Sequence, residues 1–230
     1  MERSIALVFT LFVLLNEILL GLNVNVGAGM YLVLMSVALF LLSRRESLDD
    51  TSKMIVIFLA IPLFRIAGLF LDISYLWKLA LSSGILLFLG IYYLRNFDID
   101  IGDTSKHLWM IFPVVCVGAL FGILGNVVFG SGGDLALIMV IVLIAFSEEI
   151  FFRGLMQNSI EKSCGFIYSL LIPALIYSAL SLHLGIGLMI FFFFVGLFSG
   201  LLYSSTKNLF LSIAFNLVVS ILIFIIPNLI

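Results

Sequence analysis

The sequence predicts an all-α fold, a polytopic transmembrane helical bundle with eight or nine spans. Of its 230 residues, 63% are hydrophobic and only 10% are charged, whereas soluble domains carry about 25% charged residues. The mean hydropathy is +1.33. Apolar runs close to the ~20 residues needed to cross a bilayer recur along the whole chain.

Each run is a candidate span. The runs fall at about 5–22, 28–43, 54–71, 75–94, 108–129, 136–158, 165–182, 184–203 and 208–227. The second run is short and the break at His183 is tight, so both eight and nine spans stay open.

The distribution of basic residues predicts the orientation, because lysine and arginine concentrate in cytoplasmic loops. With the N-terminus inside, eight of the 11 lysine and arginine residues fall in cytoplasmic segments and the outer loops hold none. The eight are Arg3, Arg44, Arg45, Lys53, Arg95, Lys106, Lys162 and Lys207. We therefore expect an integral protein of the cell (plasma) membrane, surrounded by membrane lipids, with a cytoplasmic N-terminus.

The composition argues against two further classes of site. A net charge of −2 argues against nucleic acid as a partner. Cys116 and Cys164 are too few for a disulfide framework and lack metal-ligand spacing. We expect both cysteines to be small packing residues.

Two adjacent glutamates, Glu148 and Glu149, lie inside one of the most apolar stretches and are followed by Arg153. A charge at membrane depth costs about 3 kcal/mol or more, so such residues are usually paired or functional. In a helix Glu149 and Arg153 share a face at i,i+4 spacing, whereas Glu148 lies about 100° away. We therefore expect Arg153 to neutralise Glu149 and to leave Glu148 free.

A second charged pair is predicted in the N-terminal half. Glu17 lies about twelve residues into the first run and Arg65 about eleven into the third. At 1.5 Å per residue, both side chains lie roughly 17 Å deep. We hypothesise a buried structural ion pair between them.

Three more polar residues lie near the C-terminal end. His183 follows the glutamates by one run, and a carboxylate beside an imidazole can polarise water and move its proton. Asn216 and Ser220 share a helix face, and each can donate a hydrogen bond to a developing oxyanion. Both are also ordinary packing residues of membrane helices, so the two interpretations stay open.

Three blocks of the sequence resemble the CAAX-processing and bacteriocin-processing (CPBP, Abi) family of intramembrane proteases, which is related to type II CAAX prenyl endopeptidases. Residues 148–154, EEIFFRG, resemble the family's EExxxR motif. Residues 179–183, ALSLH, fall where the family has FxxxH, and residues 196–207 resemble its glycine-rich helix and turn. The resemblance covers about residues 109–226, roughly half of the chain.

Two motifs depart from the family's pattern. Ala179 stands where phenylalanine is usual. In the final motif, HxxxN/D, Asn216 replaces the histidine and Ser220 replaces the asparagine. The resemblance implies that residues 1–107 are N-terminal transmembrane helices and that residues 108–230 are the catalytic core.

The resemblance also implies a role for each polar residue. Glu148 would be the general base and His183 its helper. The others would organise the site or hold the oxyanion: Glu149, Arg153, Asn216 and Ser220. The implied activity is an intramembrane endopeptidase that cleaves a peptide or prenylated (lipidated) protein tail near the cytoplasmic face.

Two alternatives stay open for the cofactor: the protein uses none, or it uses zinc. Catalytic zinc normally takes three protein ligands, and only Glu148, Glu149 and His183 are candidates. Because Glu149 is expected to pair with Arg153, we favour a metal-free mechanism over a zinc-dependent one.

Two other functions stay open. The replacements at Asn216 and Ser220 fit a family member that has lost catalysis and acts as a membrane binding or immunity protein. Intramembrane carboxylates also mark proton-coupled transporters, although no internal hydropathy symmetry supports that interpretation.

The spacing also predicts a mismatch in depth. Glu148 is about ten residues from the cytoplasmic end of its run, and His183 is about eighteen from the start of the next. The two would therefore differ by roughly 12 Å in depth. A tilt, a helix break or a shifted turn around Gly165 would have to absorb this difference.

Overall fold

In a computed structural model, the described residues, 2–44, 50–70, 75–96, 109–129, 135–182 and 185–225, form helices joined by short connections. The first six helices are α1 (Glu2–Leu22), α2 (Val24–Ser43), α3 (Asp50–Phe70), α4 (Tyr75–Asn96), α5 (Ile111–Phe129) and α6 (Leu135–Glu149). A π-helical segment (Ile150–Gln157) continues α6 into α7 (Asn158–Cys164). The last three helices are α8 (Phe166–Ala179), α9 (Ile186–Thr206) and α10 (Leu209–Ile225).

Within these ranges there is no strand, so the all-α prediction is confirmed. Three of the described helical stretches are long and apolar enough to cross a membrane: Arg3–Leu22, Val24–Ser43 and Ile186–Thr206. Five further apolar stretches are shorter: Ser52–Leu63, Ser83–Tyr92, Ile111–Gly125, Phe166–Ala179 and Leu209–Ile223. Some residues used in the predictions lie outside the described ranges: Arg45, Lys106 and His183.

The second helix begins earlier than the apolar run predicts. α2 starts at Val24 rather than at residue 28, because Asn23 caps it. The Asn23 Oδ1 accepts hydrogen bonds from the backbone N–H groups of Asn25 (3.0 Å) and Val26 (3.3 Å). The connection between α1 and α2 is therefore a single residue, and the two helices form a tight hairpin.

The helix that carries the two glutamates is longer than predicted. Its apolar run ends at residue 158, but helical structure continues to Cys164 because the polar residues of α7 stay helical. The turn into α8 comes at Gly165, whose φ of 93° favours glycine. Counted from Gly165, Glu148 lies about 17 residues away along one helix and Leu180 about 15 along the other. The assumption behind the predicted mismatch of roughly 12 Å is therefore wrong.

The starts of α1 and α8 lie at the same end of the bundle. The Arg3 guanidinium lies 5.7 Å from the ring centroid of Tyr168. At this end the Lys207 ammonium also pairs with the Glu161 carboxylate at 2.6 Å. Basic residues from the N-terminus and from the α9–α10 turn are thus gathered on one face.

Close backbone approaches bring the other helices around the glutamate-bearing segment. A Cβ on Gly90 of α4 would lie 2.5 Å from Cγ2 of Ile150 in the π-helical segment. A Cβ on Gly196 of α9 would lie 3.1 Å from the Cα of Ala174 in α8. Small residues at such crossings let membrane helices pack closely, and here they fix the distances between the helices that form the site.

Candidate functional site

Glu149 lies at the centre of a buried polar cluster formed by α6, the π-helical segment, α9 and α10. Its side chain is 1% exposed, and its Oε2 lies 3.4 Å from the Arg153 Nε. The same oxygen accepts a hydrogen bond from the Ser199 hydroxyl at 2.7 Å, and Oε1 accepts one from the Asn216 Nδ2 at 3.0 Å. The predicted pairing of Glu149 with Arg153 is confirmed, and both carboxylate oxygens are occupied.

Arg153 is held mainly by α9. Its Nε donates to the Ser199 hydroxyl at 3.2 Å and one terminal nitrogen, Nη2, donates to the Gly196 carbonyl at 3.1 Å. The Tyr177 ring of α8 lies 5.8 Å from the guanidinium carbon. The other terminal nitrogen, Nη1, is buried without a hydrogen-bond partner. An unsatisfied buried donor costs about 1–3 kcal/mol, so the other contacts of Arg153 offset this cost.

One turn along the π-helical segment, Gln157 extends the polar contacts to the next turn of α9. Its Nε2 donates to the Gly200 carbonyl at 2.8 Å and to the Ser204 hydroxyl at 2.7 Å. All eight residues of the segment are buried. π-helical turns are frequent at functional sites, and this one presents both Arg153 and Gln157 to α9.

Glu148 has a different environment from its neighbour. Its side chain is half-buried, whereas Glu149 is buried. In the part of the chain that the structure describes, Glu148 is in no ion pair, and it interacts with the side chains of Tyr177 and Asn216. The two consecutive carboxylates therefore differ in their exposure and in that only Glu149 forms an ion pair among the described residues.

The last helix, α10, is bound to the carboxylates by the two residues predicted from the final motif. Asn216 donates to Glu149, and the Ser220 hydroxyl donates to the Asn216 Oδ1 at 3.4 Å. The structure thus brings together five of the six predicted site residues. The sixth, His183, lies outside the described residues.

Two of the three candidate zinc ligands, Glu148 and Glu149, lie among the described residues. No group of three His, Cys, Asp or Glu side chains comes together among them. Catalytic zinc takes about three protein ligands, but the oxygens of Glu149 already accept hydrogen bonds from Ser199 and Asn216. Of the two proposed ligands in the described ranges, Glu149 therefore has both oxygens engaged, and only Glu148 is without an ion pair.

Sequence reasoning missed three residues of this cluster: Ser199, Gln157 and Tyr177. Ser199 had a weak signal, since it lies between Gly196 and Gly200 on a face where small residues let another helix approach. The other two had none, because a glutamine or tyrosine in an apolar run is common in packed helices.

A comparison with protein families matches residues 131–222 to the family described as type II CAAX prenyl endopeptidase Rce1-like. Over these 92 of the 230 residues the chain is similar to the CAAX endopeptidase family. The matched segment contains the whole Glu149 cluster, including Ser199 and Asn216. No curated protein and no solved structure matches the chain. The family match and the apolar helices together support an integral membrane protein related to the CAAX-type intramembrane proteases.

A second buried charge cluster lies mostly outside the segment that matches the CAAX endopeptidase family. The predicted pair of Glu17 and Arg65 is confirmed: Arg65 Nε donates to Glu17 Oε1 at 2.7 Å, and Arg65 Nη2 pairs with Oε2. The Tyr31 hydroxyl, which was not predicted, donates to Glu17 Oε1 at 2.5 Å. Arg65 Nη2 also donates to the backbone carbonyl of Leu180 at 2.9 Å. This cluster therefore joins α1, α2 and α3 to the end of α8.

Proposed function

We propose that this chain is an intramembrane endopeptidase in which Glu148 activates a water molecule. The contrast between the two adjacent carboxylates carries the proposal. Glu149 is 1% exposed and has both oxygens occupied, so it serves structure. Glu148 is half-buried and has no ion pair among the described residues. A carboxylate in that state can act as a general base, which contributes about 10²–10⁴-fold to the rate.

The proposed reaction is the hydrolysis of a peptide bond. Glu148 accepts a proton from water while the water oxygen attacks the carbonyl carbon of the scissile bond. The proton then passes to the amide nitrogen as the C–N bond breaks, which yields a carboxylic acid and an amine. His183 is the proposed helper in proton transfer, on the basis of its place in the FxxxH-like block.

The remaining residues organise the site in this proposal. Arg153 and Glu149 fix the helix that carries Glu148, and Ser199 connects them to α9. Asn216 and Ser220 are the proposed oxyanion donors. The Asn216 amide has two N–H groups. It donates to Glu149 and also interacts with Glu148, a contact that the oxyanion would replace in this proposal. The proposed mechanism is metal-free, because the Glu149 oxygens are occupied by Ser199 and Asn216.

The proposed substrate is a peptide or a prenylated protein tail, on the basis of the family's name. We further propose a cytoplasmic N-terminus in the cell membrane, which would place Arg3, Lys162 and Lys207 on the cytoplasmic side. Asn216 is seven residues from the start of α10, so the site would lie roughly 10 Å from that face. Residues 1–107 would frame a catalytic core of residues 108–230.

The test is cleavage by the full-length protein in liposomes, with a fluorogenic library of prenylated and unprenylated peptides. We expect wild type to cleave at least one substrate class, Glu148→Gln to lose about 10²-fold or more in kcat, and chelator to have no effect. Loss of turnover with chelator would contradict the metal-free mechanism. No cleavage by wild type, together with a Glu148→Gln variant that functions normally in cells, would favour a non-catalytic binding or immunity protein.

A further inference from the structure

We propose that Arg65 is a positioning residue for the catalytic site, because it holds the C-terminal end of α8 in place against Glu148. This inference rests on the proposed function for its catalytic meaning. The contact itself joins the N-terminal helices, which lie outside the family match, to a helix inside that match.

The Arg65 guanidinium is held in place by the Glu17 carboxylate of α1. Glu17 binds the guanidinium through both carboxylate oxygens, and Tyr31 donates to the same carboxylate at 2.5 Å. The Glu17 side chain is 1% exposed and that of Arg65 is 16% exposed. A guanidinium held by two bonds to one carboxylate has little freedom left, so its remaining Nη2 donor points in a defined direction.

That donor reaches the C-terminal end of α8. Leu180 is the residue that caps this helix. Arg65 Nη2 donates to its carbonyl at 2.9 Å, and a cation at this position also interacts favourably with the helix dipole. Arg65 therefore connects the end of α8 to the Glu17 carboxylate of α1.

The C-terminal end of α8 contacts Glu148 through the side chain of Tyr177. Tyr177 lies three residues, less than one turn, before Leu180, and its side chain interacts with Glu148. The same tyrosine packs against Arg153. His183, the proposed helper, follows Leu180 by three residues in the sequence. The Arg65 contact thus lies three residues after a described residue of the proposed site, Tyr177.

A purely structural ion pair predicts a different response to substitution. Replacing a buried ion pair by apolar residues of similar size is often neutral for stability or even stabilising. If Arg65 only helped the bundle to fold, an apolar replacement of the cluster would leave turnover unchanged. If Arg65 positions α8, turnover falls even though the protein remains folded.

The test uses the full chain with the triple substitution Glu17→Leu, Tyr31→Phe and Arg65→Met, which removes the cluster without leaving any of its three polar side chains unpaired. The matched control is Tyr31→Phe alone, because it keeps Glu17, Arg65 and the contact to Leu180. Two quantities are measured in the same liposomes: backbone hydrogen exchange of a peptide covering residues 176–190, and kcat and KM for peptide cleavage.

We expect the triple variant to exchange about tenfold faster in residues 180–182, since a hydrogen bond from a charged group is lost. We expect kcat to fall about tenfold or more, because misplacement of a catalytic group by about 1 Å can cost 10²-fold, with KM changed less than about twofold. The control should match wild type in both quantities. Unchanged exchange or unchanged kcat in a folded triple variant would overturn the proposal. If wild type cleaves no peptide, the proposed function fails, and hydrogen exchange still tests the contact to Leu180 separately.

Discussion

Ser199 is the residue through which α9 binds both members of the buried ion pair. Its hydroxyl donates to Glu149 at 2.7 Å and accepts from Arg153 at 3.2 Å. We expect Ser199→Ala to lower the free energy of unfolding by about 1–2 kcal/mol, since two charged groups each lose a partner. Reversible unfolding in detergent measures this loss.

Ser178→Ala is the matched control for that measurement. Ser178 is equally buried, but its hydroxyl only donates to the Leu175 carbonyl of its own helix at 2.8 Å. Its removal should cost less than about 0.5 kcal/mol. An equal loss in the two variants would mean that Ser199 does not support the ion pair.

Single residues were predictable from sequence where spacing or depth alone defines the partner. Glu149 and Arg153 lie four residues apart on one helix, and Glu17 and Arg65 lie at equal depth in parallel spans. Tyr31 was missed because the second apolar run was taken to begin at residue 28, which made the connection after Leu22 five residues long. Once α2 begins at Val24, the α1–α2 hairpin brings Tyr31 opposite Glu17.

At the scale of elements, the crossing of α8 and α9 sets the geometry of the cluster. Gly196 lies at this crossing, where a Cβ would come within 3.1 Å of the Ala174 Cα, and its carbonyl accepts from Arg153. We expect Gly196→Val to destabilise the protein by about 1–3 kcal/mol, because the two helices must separate. Peptide turnover should fall with it, since Arg153 loses its position.

Gly187→Val controls for the change in helix propensity. Gly187 lies in the same helix, and no atom of the described residues approaches its Cβ position within 4 Å. Unfolding and turnover close to wild type are expected there. A loss at Gly187 as large as at Gly196 would show that the glycine-to-valine change itself, rather than the helix crossing, causes the effect.

Helices were predictable from the sequence where hydropathy alone determines their position. The apolar runs mark the described helices, but their ends were shifted wherever polar residues continue a helix, as α7 does to Cys164. The π-helical segment could not be predicted, because its residues have the same apolar composition as an α-helix. It matters for the site because it presents Arg153 and Gln157 to the same side of α9.

At the scale of the whole molecule, the described contacts cross the boundary that the sequence suggested at residue 108. Gly90 approaches Ile150, and Arg65 binds Leu180. The N-terminal helices therefore form part of the environment of the CAAX endopeptidase segment. Sequence reasoning located the functional half through its motifs, but it could not show this connection, because a backbone carbonyl has no sequence signal.

In the proposed mechanism Glu148 acts in catalysis and Glu149 stabilises the fold. One paired measurement distinguishes these two roles. Glu148→Gln and Glu149→Gln are compared in liposomes for kcat per folded molecule and for the free energy of unfolding. We predict that Glu148→Gln loses about 10²-fold or more in kcat with wild-type stability. We predict that Glu149→Gln instead loses about 3–5 kcal/mol of stability, because Arg153 is left buried without its anion. A Glu148→Gln variant that retains wild-type turnover would contradict the account.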